Sequence, residues 1–328
     1  MVTTPLAYLA DRVTLSSRAL RWATTAALIV SIVIVFSGGI VRVTGSGLGC
    51  PTWPECEAGS LTPTPALGYH ALIEFGNRML TWVLCVAVGW AIVAARLQKP
   101  RNRTITRLAW SQFWLVVANA IAGGITVLSE LNPYIVAFHF LMAIALLTTT
   151  ALTWHRTHLK QQAPIHLPRF PRVLSWVLVA VTAILIIVGT LVSGSGPHSG
   201  DTVEVPRMAF DWIDVTVVHG VLAGLTLGLG VLLAVVLLRV RGAGLARRRT
   251  YTFIAVVLAQ GVIGVVQAVT ALPDALVALH LLGAALVWVG ALRVLLDVNP
   301  DLFPTLNVMS PAVGEPVAAQ PSTTGNTV

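Results

Sequence analysis

Residues 122–143, AGGITVLSELNPYIVAFHFLMA, and residues 263–284, IGVVQAVTALPDALVALHLLGA, decide how this chain is read. Each is a glycine-bearing apolar run, a short turn with a proline, and a histidine in the opening turns of the next apolar run. A second pair agrees: GGIVRVTGSGLG at 38–49 and GTLVSGSGPHSG at 189–200. Such self-similarity marks an internal duplication.

Working outward, long apolar runs fall at 22–41, 71–95, 108–128, 134–154, 173–192, 215–238, 251–272 and 275–296. Each has about the 20 residues a helix needs to cross the hydrocarbon core. Only helices satisfy their own backbone there without a closed barrel. Of the 328 residues, 56% are hydrophobic and 10% charged, against about 25% charged in a soluble domain. The expected fold is therefore an all-α integral membrane protein, with eight transmembrane helices as two parallel four-helix bundle repeats. An even number of spans per half makes the repeats parallel, related by an axis along the membrane normal. The first run is longer than a signal-peptide core and lacks a small-x-small cleavage site, so it reads as a retained helix.

The net charge of +8 does not indicate nucleic acid, because the cations sit in short segments between apolar runs. Arg12, Arg18 and Arg21 precede the first span. Arg96, Lys99, Arg101, Arg103 and Arg107 join spans two and three; Arg156, Lys160, Arg169 and Arg172 join four and five. Arg239, Arg241, Arg247, Arg248 and Arg249 join six and seven, and Arg293 ends the eighth. These are 18 of the 21 basic residues, leaving Arg42, Arg78 and Arg207 for the other side. The positive-inside rule predicts a multi-pass protein of the cell membrane with both termini in the cytoplasm. Most acids then lie outside, as do Cys50 and Cys56 in CPTWPEC. An oxidising exterior favours a loop disulfide between them, although a metal site stays open. Cys85, inside the second span, reads as a small packing residue. The Gly-Ser-Gly segments follow membrane helices rather than strands, so a phosphate cradle is excluded.

Of the eight histidines, His155, His158 and His166 read as solvated residues of the basic loop, and His198 follows the fifth span. His139, His219 and His280 lie one to two turns into spans four, six and eight, at one depth near the outer interface. Polar side chains inside a bundle face a partner or a ligand. His219 and His280 share one half and could supply both axial nitrogens to a heme iron in a slot between helices. Zinc would need more ligands. The small residues Gly220, Ala223, Gly224, Gly283, Ala284 and Ala285 leave room for a macrocycle, or simply allow close helix packing. The first half differs. His139 corresponds to His280, but Asn77 stands roughly where His219 does. Glu74 and Arg78 lie four apart on one helix face, and His70 lies about 10 Å further out on nearly the same face.

In combination, RVTGSGLGCPTWPEC (42–56), IEFGNR (73–78), AFHFLMA (137–143), VVHGVLAG (217–224) and ALHLLGA (278–284) resemble the heme A synthase family over residues 22–296. The resemblance implies oxidation of a heme O methyl group to a formyl group by two hydroxylations and loss of water, making heme A for terminal oxidases. It implies heme b as cofactor, with His219 and His280 as axial ligands of its iron. It implies a first half that receives heme O, with Glu74 catalytic, His139 the ligand of the substrate iron, Arg78 beside Glu74, and Cys50–Cys56 a disulfide. Heme O synthase is the expected handover partner, and the reaction requires an electron donor that no motif identifies. Many members carry histidine where this chain has Asn77; His70, or His139 alone, then serves the substrate iron.

The expected organisation is 1–21 a cytoplasmic N-terminus, 22–154 the heme O half, 155–172 a cytoplasmic linker, 173–296 the heme b half and 297–328 a disordered tail. A di-heme membrane electron-transfer cytochrome is the alternative and shares every histidine argument. A transporter is disfavoured, because no Asp, Glu, Lys or Arg lies near the middle of any span.

Overall fold

A computed structural model describes residues 5–159, 167–198, 200–202 and 205–302. Lys160 and His166 of the linker, Glu204, and the tail from residue 303 onward lie outside the described residues. The helices are α1 (Pro5–Arg12), α2 (Ser17–Val43), α3 (Gly68–Arg96), α4 (Arg103–Leu128), α5 (Pro133–His158), α6 (Arg169–Ser195), α7 (Trp212–Leu238), α8 (Gly244–Val269) and α9 (Asp274–Val298). Among the described residues, helices α2 to α9 are the eight that are long and apolar enough to cross a membrane. They outrun the apolar segments read from sequence because polar residues cap them. Ser16, Asn102, Asn132 and Asp211 each accept a backbone N–H of the first turn of α2, α4, α5 and α7, and Pro133 occupies the first turn of α5, where a missing donor costs nothing.

Each half closes into a ring of four helices. Helix α2 packs on α3 and α5, and α4 packs on both α3 and α5; α6, α7, α8 and α9 repeat the pattern. Helices α3 and α5 are therefore diagonal to each other, as are α7 and α9. The halves meet where α9 packs on α2 and α5, and α5 on α6. Leu28, Val35, Ile144, Leu147, Ile186 and Trp288 fill this seam, and the Trp288 indole donates across it to Thr148 Oγ1 at 2.8 Å. The outer faces are apolar, with Val221, Val262, Val265 and Val269 each more than 60% exposed, as a lipid solvent requires.

The duplication reaches the backbone. Between α4 and α5, Glu130 and Leu131 are left-handed (φ 52° and 59°); between α8 and α9, Ala271 and Leu272 are as well (φ 59° and 58°). Such conformations are uncommon without glycine. Here the helix ends over-determine them: Leu131 N–H donates to Thr126 O at 3.0 Å and Leu272 N–H to Gln267 O at 2.8 Å. These are the wide-turn bonds of a Schellman ending. The same turn thus sets the same rotational phase for α5 and α9, and with it the facing of His139 and His280.

Two expectations are corrected. His155 and His158 are not solvated loop residues, because α5 runs to His158 and lies against α9. His155 is 7% exposed, with Nε2 3.9 Å from Asp297 Oδ1, and the His158 ring stacks on Trp154. Arg249 Nε approaches the same carboxylate at 3.4 Å, while the Arg293 guanidinium lies over Trp154 at 4.8 Å. Cys85 is not a packing residue: it is exposed, since Leu84, Ala87, Val88 and Ala91 occupy the inward face of α3.

At the opposite end of the bundle the chain after α2 lies against the start of α3. A Cβ built on Gly49 would stand 2.5 Å from the His70 carbonyl carbon, whereas one on Gly89, within α3, meets nothing within 4 Å. Gly49→Ala is expected to lower stability by about 1–3 kcal/mol through overpacking against backbone that cannot yield. Gly89→Ala is expected to gain about 0.5–1 kcal/mol from helix propensity. Thermal unfolding in detergent measures both.

Candidate functional site

The three interior imidazoles follow one local design. The His139 Cε1 atom lies 3.2 Å from where a Cβ on Gly123 of α4 would be, that of His219 3.1 Å from the same point on Gly189 of α6, and that of His280 3.4 Å from it on Gly264 of α8. Each ring thus lies against a glycine of the preceding helix, tightly for a Cβ at Gly123 and Gly189 and at ordinary contact distance at Gly264. Gly123–His139 and Gly264–His280 have the same spacing of 16 residues, a signal available in the repeat but not used in reading it. The Nδ1 atoms of all three are buried with no hydrogen-bond partner among the described residues. The Asn119 and Leu185 carbonyls, one helical turn before the glycine in each case, lie in reach of the His139 and His219 rings without the geometry of a hydrogen bond. A slight ring rotation would give the backbone-oriented imidazole common among metal ligands.

His219 on α7 and His280 on α9 face each other across the diagonal of the second half, their ring centroids 6.3 Å apart. Two imidazoles on opposite sides of one metal ion, each nitrogen about 2 Å from it, have centroids roughly 6 Å apart, so the pair fits an ion held between them. Among the described residues, no three or more of His, Cys, Asp and Glu cluster as a metal cage, which suits a group that brings its own equatorial ligands. The glycines of α7 beyond His219 do not pack on a neighbouring helix: Gly220, Gly224 and Gly228 are exposed, and a Cβ on any of them, or on Gly261 of α8, meets nothing within 4 Å. Gly283 is different and belongs to packing, since its added Cβ would fall on the Gln260 side chain.

In the first half, His139 on α5 stands diagonal to Asn77 on α3. Asn77 Oδ1 accepts a 2.6 Å hydrogen bond from Ser37 Oγ of α2, a partner that no pattern in the residues marks. Gly38 and Gly76, next to these two residues, have nothing within 4 Å of an added Cβ. His70 is held elsewhere: its Nδ1 lies 3.0 Å from Ser46 Oγ.

Glu74 and Arg78 do pair, and they do more. The Glu74 carboxylate, 5% exposed, accepts from Arg78 Nε and Nη2 on one oxygen and from the Cys50 backbone N–H at 2.7 Å on the other. Arg78 also donates to the carbonyls of Cys50, Thr52 and Glu55. The ion pair therefore fastens the 50–56 loop to α3. Cys50 and Cys56 form a disulfide, both with 0% exposure, and Trp53 packs its ring against Gly124 of α4, whose added Cβ would stand 2.5 Å from it. Gly124 adjoins Gly123, against which the His139 ring lies, so the loop roofs the first-half site. The preceding segment also ties the halves together: Gly47 N–H donates to Gly200 O at 2.8 Å, Leu48 N–H to Asp201 Oδ2 at 3.0 Å, and Arg42 Nη2 to Ser193 O at 2.7 Å.

Fold and site together define a polytopic membrane protein built as a duplicated four-helix bundle, with interior imidazoles on α5, α7 and α9 and two of them facing each other between diagonal helices. The chain belongs to the COX15-CtaA family, described as cytochrome oxidase assembly protein, which matches residues 20–292. It is similar to the heme A synthase of Staphylococcus epidermidis, 26% identical over 209 residues covering 59% of this chain and 68% of the relative. It is also similar to the heme A synthases of Geobacillus thermodenitrificans, 32% identical over 114 residues (34% of each chain), and of Lysinibacillus sphaericus, 33% identical over 128 residues (38% and 40%).

The clamp predicts a measurable loss. Removing one partner of a buried ion pair costs about 3–5 kcal/mol. Arg78→Gln is expected to free the loop, so that dithiothreitol reduces the Cys50–Cys56 bond in the folded variant under conditions where the wild type resists. Alkylation of the released thiols, followed by mass spectrometry, reads the difference.

Proposed function

We propose that the chain is a heme A synthase, taking heme O in its first half and carrying heme b in its second. Within that reading His219 and His280 would hold heme b, which would supply one-electron transfer. With two imidazoles committed to holding it, the second half would serve as a relay rather than a reaction chamber. His139 holds the iron of heme O from α5, and the roof formed by Trp53 keeps bulk water away from the ring methyl to be oxidised. Glu74 is the carboxylate on which turnover depends, directly or by keeping that roof closed, and Arg78 sets its position.

The observation carrying this reading is the asymmetry between two otherwise matching halves: a facing imidazole pair across α7 and α9, against one imidazole opposite a Ser37-bonded amide across α5 and α3. A relay of two equal hemes would need no such difference. The arginine-rich end is assigned to the cytoplasm and the roofed end to the outside by the positive-inside rule. Heme O would then arrive within the bilayer from heme O synthase, between helices rather than through water, and a separate donor supplies the electrons.

Pigment analysis of membranes supplied with heme O tests the assignment. Wild type is expected to convert heme O to heme A. His139→Ala and Glu74→Ala are expected to retain heme b and form no heme A, whereas His219→Ala and His280→Ala are expected to lose heme b. Bound heme without any heme A under aerobic, reducing conditions would return the di-heme electron-transfer cytochrome as the better description.

A further inference from the structure

Three side chains on α3 are the candidate ligands for the first-half iron, and each is placed or bonded otherwise. His70 stands seven residues before Asn77, about 10 Å further out by helix rise, with its Nδ1 3.0 Å from Ser46 Oγ. Both Glu74 oxygens are taken, one by Arg78 and one by the Cys50 N–H. Asn77 occupies the place that His219 holds in the other half, yet its oxygen, the only atom of a neutral amide that binds metals, accepts from Ser37 at 2.6 Å. The amide nitrogen has no free lone pair for a metal and presents two hydrogens. With the oxygen fixed toward α2, those hydrogens are what remains to point across the diagonal. The flanking Gly38 and Gly76 carry no side chain beside that amide, and a Cβ added at either meets nothing within 4 Å.

We propose that Asn77, aimed by Ser37, is a hydrogen-bond donor over an open axial face of the first-half heme and not an iron ligand. His139 is then the sole protein ligand there, and the iron accepts a small exogenous molecule that the saturated second-half iron refuses. The inference rests on the first half receiving heme, and it deepens that reading: it makes Asn77 and Ser37 positioning residues for whatever small ligand the iron takes.

Carbon monoxide is the probe, applied to the intact, dithionite-reduced protein holding both hemes. One of the two hemes is expected to bind it in the wild type. Asn77→His, which places imidazole where the matching position of α7 already accepts it, is expected to abolish binding and convert the first-half heme to a low-spin spectrum. Asn77→Leu and Ser37→Ala are expected to bind carbon monoxide still, but with the C–O infrared stretch moved to higher frequency as the donor is lost or misdirected. A merely structural serine would leave that stretch unmoved. Two bound hemes with no carbon monoxide binding in the wild type overturn the inference, as does an unchanged stretch in both Asn77→Leu and Ser37→Ala. Heme A is scored in the same preparations. Heme A formed without carbon monoxide binding removes this inference and leaves the function standing, whereas a heme content indifferent to His139→Ala removes the function itself.

Discussion

A ring laid against a glycine of the preceding helix is the contact on which the rest of this molecule depends. An imidazole is a poor guest among apolar helices, and its buried nitrogen demands a partner. A Cβ at Gly123 or Gly189 would crowd the His139 or His219 ring at 3.2 or 3.1 Å, and one at Gly264 would touch the His280 ring at 3.4 Å. The left-handed turns before α5 and α9 serve the same end, because they fix which way each histidine faces before any packing is decided. Bilayer and sequence thus agree: helices are forced by the solvent, and their rotation is set by two turns and three ring-to-glycine contacts.

The halves diverge above that shared frame. The first half carries the disulfide loop, held by one ion pair that spans three backbone carbonyls and one N–H. It also carries an amide, Asn77, on the helix that corresponds to the one bearing His219 in the second half. Both differences fall on α3 and the segment leading into it. The second half keeps the simpler arrangement.

Much of this was legible in the residues. Eight spans, their pairing into halves and the cysteine pair follow from hydropathy, repeat and compartment, because each is a property of segments rather than of neighbours. The facing of His219 and His280 was legible for the same reason, through the repeat. What escaped the sequence depends on tertiary partners. Ser37 is an ordinary serine in an apolar run until α3 brings Asn77 beside it. Trp53 is a loop tryptophan until Gly124 receives it. His155 read as loop because charge marks membrane boundaries only to within a turn or so, and α5 runs past its apolar stretch to meet Asp297. Cys85 was misplaced because a small residue in a span carries no mark of which way it faces.

The seam between the halves is largely apolar and pinned by Trp288 on Thr148, with the loops latched across it at Gly47 and Leu48. Tunnelling of an electron falls off steeply with separation, so two redox centres embedded on either side of such a seam would exchange at a rate set once, by the fold. Turnover would then be paced by arrivals and departures of substrate and electrons rather than by any cycle of domain motion, and variants that loosen the seam would scatter that rate instead of slowing the chemistry.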